Sequence, residues 1–272
     1  YVALPEAGAA LAALCAGAVE ALAARGLPAV CVFLYDEAWA LVDAHLPALL
    51  AILPAGARLN YDCYAFRVEP GCRGWAAHRD RDGCPTAGDG APHYATCWVA
   101  LTDCDAATAC MRVAPLAATR GLIRDDPRAL ADAAADDATT MPRRRGEAVA
   151  WGGDTVDHPR RANSLLFRAR RAGRPEHGAC ADDPSMARAQ VHWGGAHDAI
   201  GEPARIALAF AASTPRMTDD LDRVRAFGAW RRDEGLFEAR LKLVCLQLHF
   251  YADAEPLHDR VVGLLDELEG YW

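Results

Sequence analysis

The chain has 272 residues, of which 52% are hydrophobic and 24% charged, as is usual for a globular protein with a substantial core. The formal net charge of −8 argues against nucleic acid or an anionic membrane surface as the main partner. No apolar run approaches the roughly 18 residues that a transmembrane helix needs, so no membrane span is expected.

Cysteine usage indicates a reducing compartment. The ten cysteines form no Cys-x-x-Cys pair and lie singly in apolar runs, as Cys31, Cys97, Cys110 and Cys245 do. This distribution is typical of buried free thiols rather than of disulfides or structural zinc. We therefore expect a cytoplasmic protein. An organelle is the alternative, because the chain begins at Tyr1 rather than Met and its natural N-terminus is expected upstream.

Residues 1–56 are expected to form a helical N-terminal part. Ala and Leu recur at helical spacing over 7–25, which indicates an amphipathic helix. This segment contains an acidic residue and lacks a basic leader, unlike a signal peptide. A second helix is predicted over 37–52, with Asp36 as its N-cap and a kink or break at Pro47.

The hydrophobic period changes after the second helix, and alternation then predicts five clear strands. In the second of them, Thr96, Trp98 and Ala100 are expected on one face and the residues between them on the other. A further short strand, AAHRD, follows the first. The five strands are RLNYDCYAFRVEP (58–70), HYATCWVALTD (93–103), ACMRVAP (109–115), GEAVAWGG (146–153) and ARIALAFAAS (204–213).

Strands at short intervals between helical segments predict a mainly β fold with flanking α-helices. The expected type is a double-stranded β-helix, jelly roll or cupin-like, with N- and C-terminal helices packed outside. We expect one domain over 1–272, with a β-helix core at 57–213 and C-terminal helices over 214–272. Residues 122–140 are rich in Asp and Ala and predict a surface helix or lid.

Residues 156–190 do not fit their surroundings. They include seven arginines and four acids within an acidic chain, and they lack apolar periodicity. Without them, GEAVAWGGDT (146–155) would join VHWGGAHD (191–198) as one continuous strand. We therefore expect an insertion. A retained intron is one origin, since the 35 residues keep the reading frame.

A His-x-Asp pair, His78 and Asp80, stands between a glycine turn and a Gly-rich loop in GWAAHRDRDG. Residues i and i+2 of a strand point to the same side, so an imidazole and a carboxylate are presented together. One further imidazole would complete the two-His-one-carboxylate set of non-haem Fe(II) oxygenases. The alternative is an ordinary loop salt bridge, since such a triplet also arises by chance.

Two histidines are candidates for the third ligand. His192 lies 13 residues before Arg205, which opens the apolar run RIALAF. His158 lies in a comparable position after the strand at 146–153, with Arg168 ten residues further on. His192 is favoured because Arg205 begins a convincing strand. An arginine at that point could hold a carboxylate bidentately, or it could be a surface or interface residue.

Four segments resemble the phytanoyl-CoA dioxygenase family of Fe(II)/2-oxoglutarate oxygenases: GWAAHRD, TCWVALTD, GEAVAWGG and HWGGAHDAIGEPARIALAF. The resemblance implies a double-stranded β-helix with iron held by His78, Asp80 and His192. It also implies that Arg205 binds the distal carboxylate of 2-oxoglutarate. Trp98 is then a residue beside this cosubstrate, or else a core residue or pocket wall. The chain departs from the family pattern at ACMRVAPLAAT and at the expected insertion.

The function implied by the resemblance is a dioxygenase that hydroxylates a small organic substrate with O₂ and 2-oxoglutarate, releasing succinate and CO₂. Fe(II) and 2-oxoglutarate are the expected cofactors, and ascorbate is a candidate reductant. Asp80 would occupy the coordination position that chloride needs, so hydroxylation is expected rather than halogenation. The alternative is a catalytically inactive β-helix module whose metal site is disrupted by the insertion.

Overall fold

The structure is a computed structural model that describes part of the chain. The described residues are 2–4, 8–72, 74, 78, 80, 91–114, 138–152, 192–194, 196–217 and 236–251. Residues 192–194, 236 and 249–251 are described by their backbone alone. The predicted insertion at 156–190 lies outside the described residues, as does most of the predicted lid at 122–140.

Within the described residues, eight strands form two antiparallel sheets. They are β1 (Val2–Leu4), β2 (Arg58–Val68), β3 (Tyr94–Ala100), β4 (Met111–Val113), β5 (Thr139–Met141), β6 (Ala148–Gly152), β7 (His192–Gly194) and β8 (Arg205–Ser213). The larger sheet has the order β1-β6-β3-β8-β2, and the smaller sheet has the order β5-β4-β7. The N-terminal part, for which helices are predicted, thus also supplies an edge strand.

Helices cover one face of the larger sheet. The α-helices described are α1 (Ala9–Ala23), α2 (Asp36–Leu50) and α3 (Leu236–Tyr251), and a 3₁₀ helix spans Ala29–Leu34. Helix α1 buries residues spaced three or four apart, as an amphipathic helix does: Ala12, Cys15, Val19 and Leu22. None of the described helices combines the length and apolar character needed to cross a membrane.

Alternation along β3 gives the larger sheet two different faces. Cys97 and Val99 belong to the core cluster that includes the helices. Trp98 and Ala100 belong to a second cluster, which also contains Val113 of the smaller sheet. The predicted faces of this strand are therefore confirmed. We call the face of the larger sheet that is turned toward the smaller sheet the inner face.

Two antiparallel sheets packed against each other, with helices on the outer face of the larger one, confirm the predicted fold class. The chain has the mainly β, cupin-like architecture with flanking helices that strand spacing indicated. This arrangement reserves the space between the sheets for side chains of the inner face. Thr96 and Trp98 of β3, Trp151 of β6 and Arg205 of β8 have their side chains on that face.

Several local predictions were wrong. Asp36 is the first residue of α2 rather than its N-cap, and its carboxylate pairs with Arg240 over 2.7 Å instead of capping the helix. Helix α2 continues through Pro47 to Leu50, so the break predicted as one alternative there is absent, and the single hydrogen bond that this proline removes is tolerated in the last turn. Residues Thr139–Met141, at the edge of the predicted lid, pair with β4 as a strand.

The two flanks of the predicted insertion do not form one continuous strand in this chain. Strand β6 pairs with β1 and β3 in the larger sheet, whereas β7 pairs with β4 in the smaller sheet. The chain must therefore cross from one sheet to the other between residues 152 and 192. The insertion itself stays a prediction.

Candidate active site

His78 and Asp80 approach each other closely. Nε2 of His78 lies 3.5 Å from Oδ1 of Asp80, and the two side chains are 35% and 18% exposed. These are atoms through which an imidazole and a carboxylate bind metals. Two ligands about 2.1 Å from one ion lie about 3 to 3.5 Å apart at octahedral or tetrahedral angles. The pair therefore fits two ligands of one metal ion.

The second oxygen of Asp80 is held by the larger sheet. Thr96 Oγ1 donates a hydrogen bond to Oδ2 over 2.5 Å, and Trp151 Nε1 donates one to the same atom over 2.9 Å. Thr96 of β3 and Trp151 of β6 are direct cross-strand partners, and both are buried. Cross-strand partners have neighbouring side chains, which is why both donors reach one oxygen.

Arg205 is a buried cation at the start of β8. It is 3% exposed, and its Cζ lies 5.5 Å from the centre of the Trp98 ring. Its Nε and Nη1, together with the indole Nε1 of Trp98, have no hydrogen-bond partner in the described part of the chain. Burial lowers the pKa of Arg205 to about 10, so the guanidinium stays charged at neutral pH. A buried cation with unsatisfied donors favours an anionic acceptor, such as a carboxylate.

The Arg205–Trp98 pair and the His78–Asp80 pair are neighbours along β3. Thr96, which binds Asp80, and Trp98, which carries the guanidinium of Arg205 over its ring, are adjacent inner-face positions about 7 Å apart. Ala209, the cross-strand partner of Trp98 on β8, is only half-buried although β8 is flanked by strands on both sides. Space therefore remains on the inner face beside Trp98.

The backbone of His192 borders the same interior. His192 pairs with Val113 of β4, and Val113 is fully buried in the cluster between the sheets. The side chain of His192 lies outside the described structure, and so do the alternatives His158 and Arg168. Among the side chains that are described, no group of three His, Cys, Asp or Glu residues is arranged to hold a metal.

His197 has a structural position in the loop between β7 and β8. It is buried, and its ring Nε2–H donates to the carbonyl oxygen of Pro203 over 2.9 Å. Its backbone exchanges hydrogen bonds with Gly71 and Cys72. Asp198 is exposed. The loop that connects β7 to Arg205 is thus fastened to the segment that leads toward His78.

Thr96 and Trp151 are site residues to which the sequence assigned no role. The strand pattern places Thr96 on the face of Trp98, and Trp151 stands in the strand GEAVAWGG. The only sequence signal for a role of these two residues was a hydroxyl and an indole at positions on one face of their strands. It carried no information on their common partner, because the pairing of β3 with β6 brings together residues 55 positions apart.

The family profile described as Phytanoyl-CoA dioxygenase (PhyH) matches residues 26–163, which is 138 of the 272 residues. The chain belongs to the phytanoyl-CoA dioxygenase family. The predicted family is therefore confirmed, and the family is one of non-haem iron, 2-oxoglutarate-dependent oxygenases. The matched region includes His78, Asp80 and Trp98. His192 and Arg205 lie beyond it. No curated protein sequence matches the chain.

Several solved structures are similar to the chain. SnoK, a non-heme alpha ketoglutarate dependent carbocyclase from nogalamycin biosynthesis, is 19% identical with a TM-score of 0.41, over 70% of this chain and 65% of that one. HygX from Streptomyces hygroscopicus, with nickel and 2-oxoglutarate bound, is 13% identical with a TM-score of 0.41, over 67% and 68%. The chain spans 32% of EvdMO1 and 52% of AviO1 from Streptomyces viridochromogenes Tue57. Likeness at this level carries no argument about activity.

Proposed function

We propose that the protein is an Fe(II)/2-oxoglutarate-dependent dioxygenase that hydroxylates a small organic substrate, with release of succinate and CO₂. The observation that carries the proposal is the buried guanidinium of Arg205, whose Nε and Nη1 lack a partner in the described structure, one inner-face position away from the His78–Asp80 pair. A cation and a potential metal-ligand pair at this spacing suit a cosubstrate that has a carboxylate at one end and a chelating group at the other.

In this proposal the metal is held by Nε2 of His78, Oδ1 of Asp80 and the imidazole of His192. The first two atoms already lie at a ligand-to-ligand distance. Strand β7 brings the backbone of His192 to the sheet that faces them. Support for His192 over His158 comes from the short fastened loop that joins β7 to Arg205. His158 lies outside the described residues.

When bound, iron with 2-oxoglutarate supplies the activation of O₂ and the oxidation of a substrate C–H bond. Arg205 binds the distal carboxylate of 2-oxoglutarate through its planar fork, and Trp98 Nε1, which has no partner in the described part of the chain, donates a further hydrogen bond there. Trp98 and the buried cluster around it exclude water from this ion pair, which strengthens it. Asp80 occupies a ligand position that would otherwise be open to halide, so hydroxylation is the expected reaction.

Succinate formation tests the proposal. The chain is incubated with Fe(II), 2-oxoglutarate and O₂, and succinate is quantified without added substrate, since such enzymes turn over slowly in its absence. We expect succinate from the chain, and at least a hundredfold less from His78→Ala. Asp198→Asn, which changes an exposed acid seven residues before Arg205 in the sequence, is the control and should retain turnover.

A second variant lacks residues 156–190. Turnover by this variant but not by the full chain would mean that the segment disrupts the site. Turnover by neither would contradict the proposed function and favour a catalytically inactive module. Equal turnover by the chain and by His78→Ala would contradict the ligand assignment alone.

A further inference from the structure

Asp80 has two oxygens in different surroundings. Oδ1 lies beside Nε2 of His78, whereas Oδ2 accepts hydrogen bonds from both Thr96 and Trp151. A carboxylate in a loop can rotate and can offer either oxygen, or both, to a metal. Here one oxygen is already occupied by two donors from a rigid sheet.

We propose that Thr96 and Trp151 are positioning residues that hold Asp80 as a one-oxygen metal ligand, with Oδ1 toward the metal and Oδ2 fixed to the sheet. The inference rests on the proposed function, since it presumes that Asp80 binds the metal. It assigns to these two residues a role that they exert through Asp80.

The geometry supports a function beyond the satisfaction of polar groups. Both bonds are charge-assisted, and the short one at 2.5 Å lies in the range of a hydroxyl on a carboxylate. Both donors are buried and come from paired positions of β3 and β6, so their separation is fixed by the sheet. Residues around a metal that orient its ligands in this way typically contribute about 10- to 100-fold to metal affinity.

A one-oxygen attachment has a consequence for coordination. A carboxylate that binds through both oxygens fills two positions around the metal. With Oδ2 engaged by Thr96 and Trp151, Asp80 fills one position. The ligand set then leaves room for a chelating cosubstrate and for O₂.

Mn(II) affinity is the measurement that tests the inference. Mn(II) is titrated calorimetrically into the full chain and into Thr96→Val and Trp151→Phe, each of which removes one donor. We expect Mn(II) to bind each variant about 10- to 100-fold more weakly than the parent. Thr96→Ser keeps the hydroxyl donor and should restore the affinity to within about threefold.

Matched controls separate positioning from general destabilisation. Thr102→Val removes a hydroxyl that bonds the backbone of Ile206, and Trp39→Phe removes an indole donor that bonds the carbonyl of Phe33. Both controls should lower the melting temperature of the metal-free protein without weakening Mn(II). If the site variants lose thermal stability but bind Mn(II) as the parent does, Thr96 and Trp151 are merely structural and the inference is overturned.

The two proposals fail in different ways. A parent chain that binds no Mn(II), with or without residues 156–190, contradicts the proposed function and the inference together. A parent that binds Mn(II) and produces succinate, with unchanged Mn(II) affinity in Thr96→Val and Trp151→Phe, overturns the inference alone.

Discussion

Arg205 is a single residue that opposes the stability of the ligand-free fold. Burial lowers its pKa from the ordinary arginine value to about 10, a difference that corresponds to about 3 kcal/mol of unfavourable desolvation in the charged state. The fold tolerates this cost at a position where an alanine-rich strand could have held any apolar residue. A buried charge that is retained at such a cost indicates a ligand of opposite charge.

Replacing Arg205 by Met should therefore raise the stability of the ligand-free protein. We expect the free energy of unfolding to rise by about 1–3 kcal/mol, since the desolvated cation is gone. The melting temperature of the parent should increase with added 2-oxoglutarate, and that of Arg205→Met should not. Arg216→Met, at an exposed position, is the control and should behave as the parent does in both respects.

The pH dependence of stability gives an independent check on the same residue. Because the pKa of Arg205 is lowered on folding, the unfolded chain binds more protons between about pH 10 and its ordinary pKa. The contribution of Arg205 to stability should thus rise as pH increases through about 10. A difference between parent and Arg205→Met that stays constant up to pH 11 would contradict the lowered pKa.

Some residues of the candidate site could be recognised from the sequence alone, and others could not. Arg205 could be singled out because a cation that opens an apolar strand needs an anion, and His78 and Asp80 because of their spacing. Thr96 and Trp151 could not, because each has many ordinary roles in a strand. Their common contact with Asp80 depends on the register of two strands, which no local pattern encodes.

At the scale of elements, β6 depends on a turn that also touches α1. Gly146 stands just before β6 at φ +85°, and its backbone N–H bonds the carbonyl of Ala100 in β3. A Cβ at this position would lie 2.9 Å from Cα of Ala9, at the start of α1. Position 146 thus requires glycine both for its backbone conformation and for the close approach of a helix.

We expect Gly146→Ala to lower the free energy of unfolding by about 2–4 kcal/mol. Gly26→Ala is the matched control: its φ is +70° and a Cβ there would meet nothing within 4 Å, so it isolates the conformational cost of about 1–2 kcal/mol. Urea denaturation of both variants measures the difference. If both variants lose the same free energy of unfolding, the contact between the new Cβ and Ala9 adds no destabilisation.

Elements with a long periodic pattern could be predicted, whereas among the four three-residue strands only β4 lies in a predicted strand, the segment 109–115. Helix α1 and strands β2, β3, β6 and β8 are where the hydrophobic period indicated, with ends displaced by a few residues. Strands β1, β5 and β7 have three residues each, too few for any period to show. They exist because neighbouring strands offer them unpaired backbone groups.

At the scale of the molecule, the larger sheet separates a core that is bound by helices from the interior that holds the candidate site. Strand alternation reveals that a strand has two faces, but not which strands lie side by side. The order β1-β6-β3-β8-β2 joins segments that range from residue 2 to residue 213. The prediction that distant residues form one site therefore depended on the resemblance to a family. The contacts of Asp80 with Thr96 and Trp151 became known only from the structure.

Thiol reactivity should report how well this interior is closed. All eight cysteines in the described part of the chain are free, and all but Cys72 are buried. Burial raises the pKa of Cys15 and of Cys104 to about 12, so neither forms a reactive thiolate at pH 8. Iodoacetamide should modify Cys72 in the native protein and leave Cys15 and Cys104 unmodified until guanidinium unfolds it.

Peptide mass mapping of the native and the unfolded protein measures this directly. Cys104 is the informative position, because it belongs to the cluster between the sheets, whereas Cys15 belongs to the cluster under the helices. Native modification of Cys104 but not of Cys15 would mean that the two sheets separate while the helical side stays closed.

The two faces of β3 also determine which mutations the gene can tolerate. Cys97 lies between Thr96 and Trp98, and its deletion would leave the strand as apolar as before. Every following side chain would, however, turn to the opposite face, so that Trp98 would meet the helices and Val99 would take the place beside Arg205. A substitution in this strand changes the packing on only one face of the sheet. A change of its length by a single codon affects both faces at once.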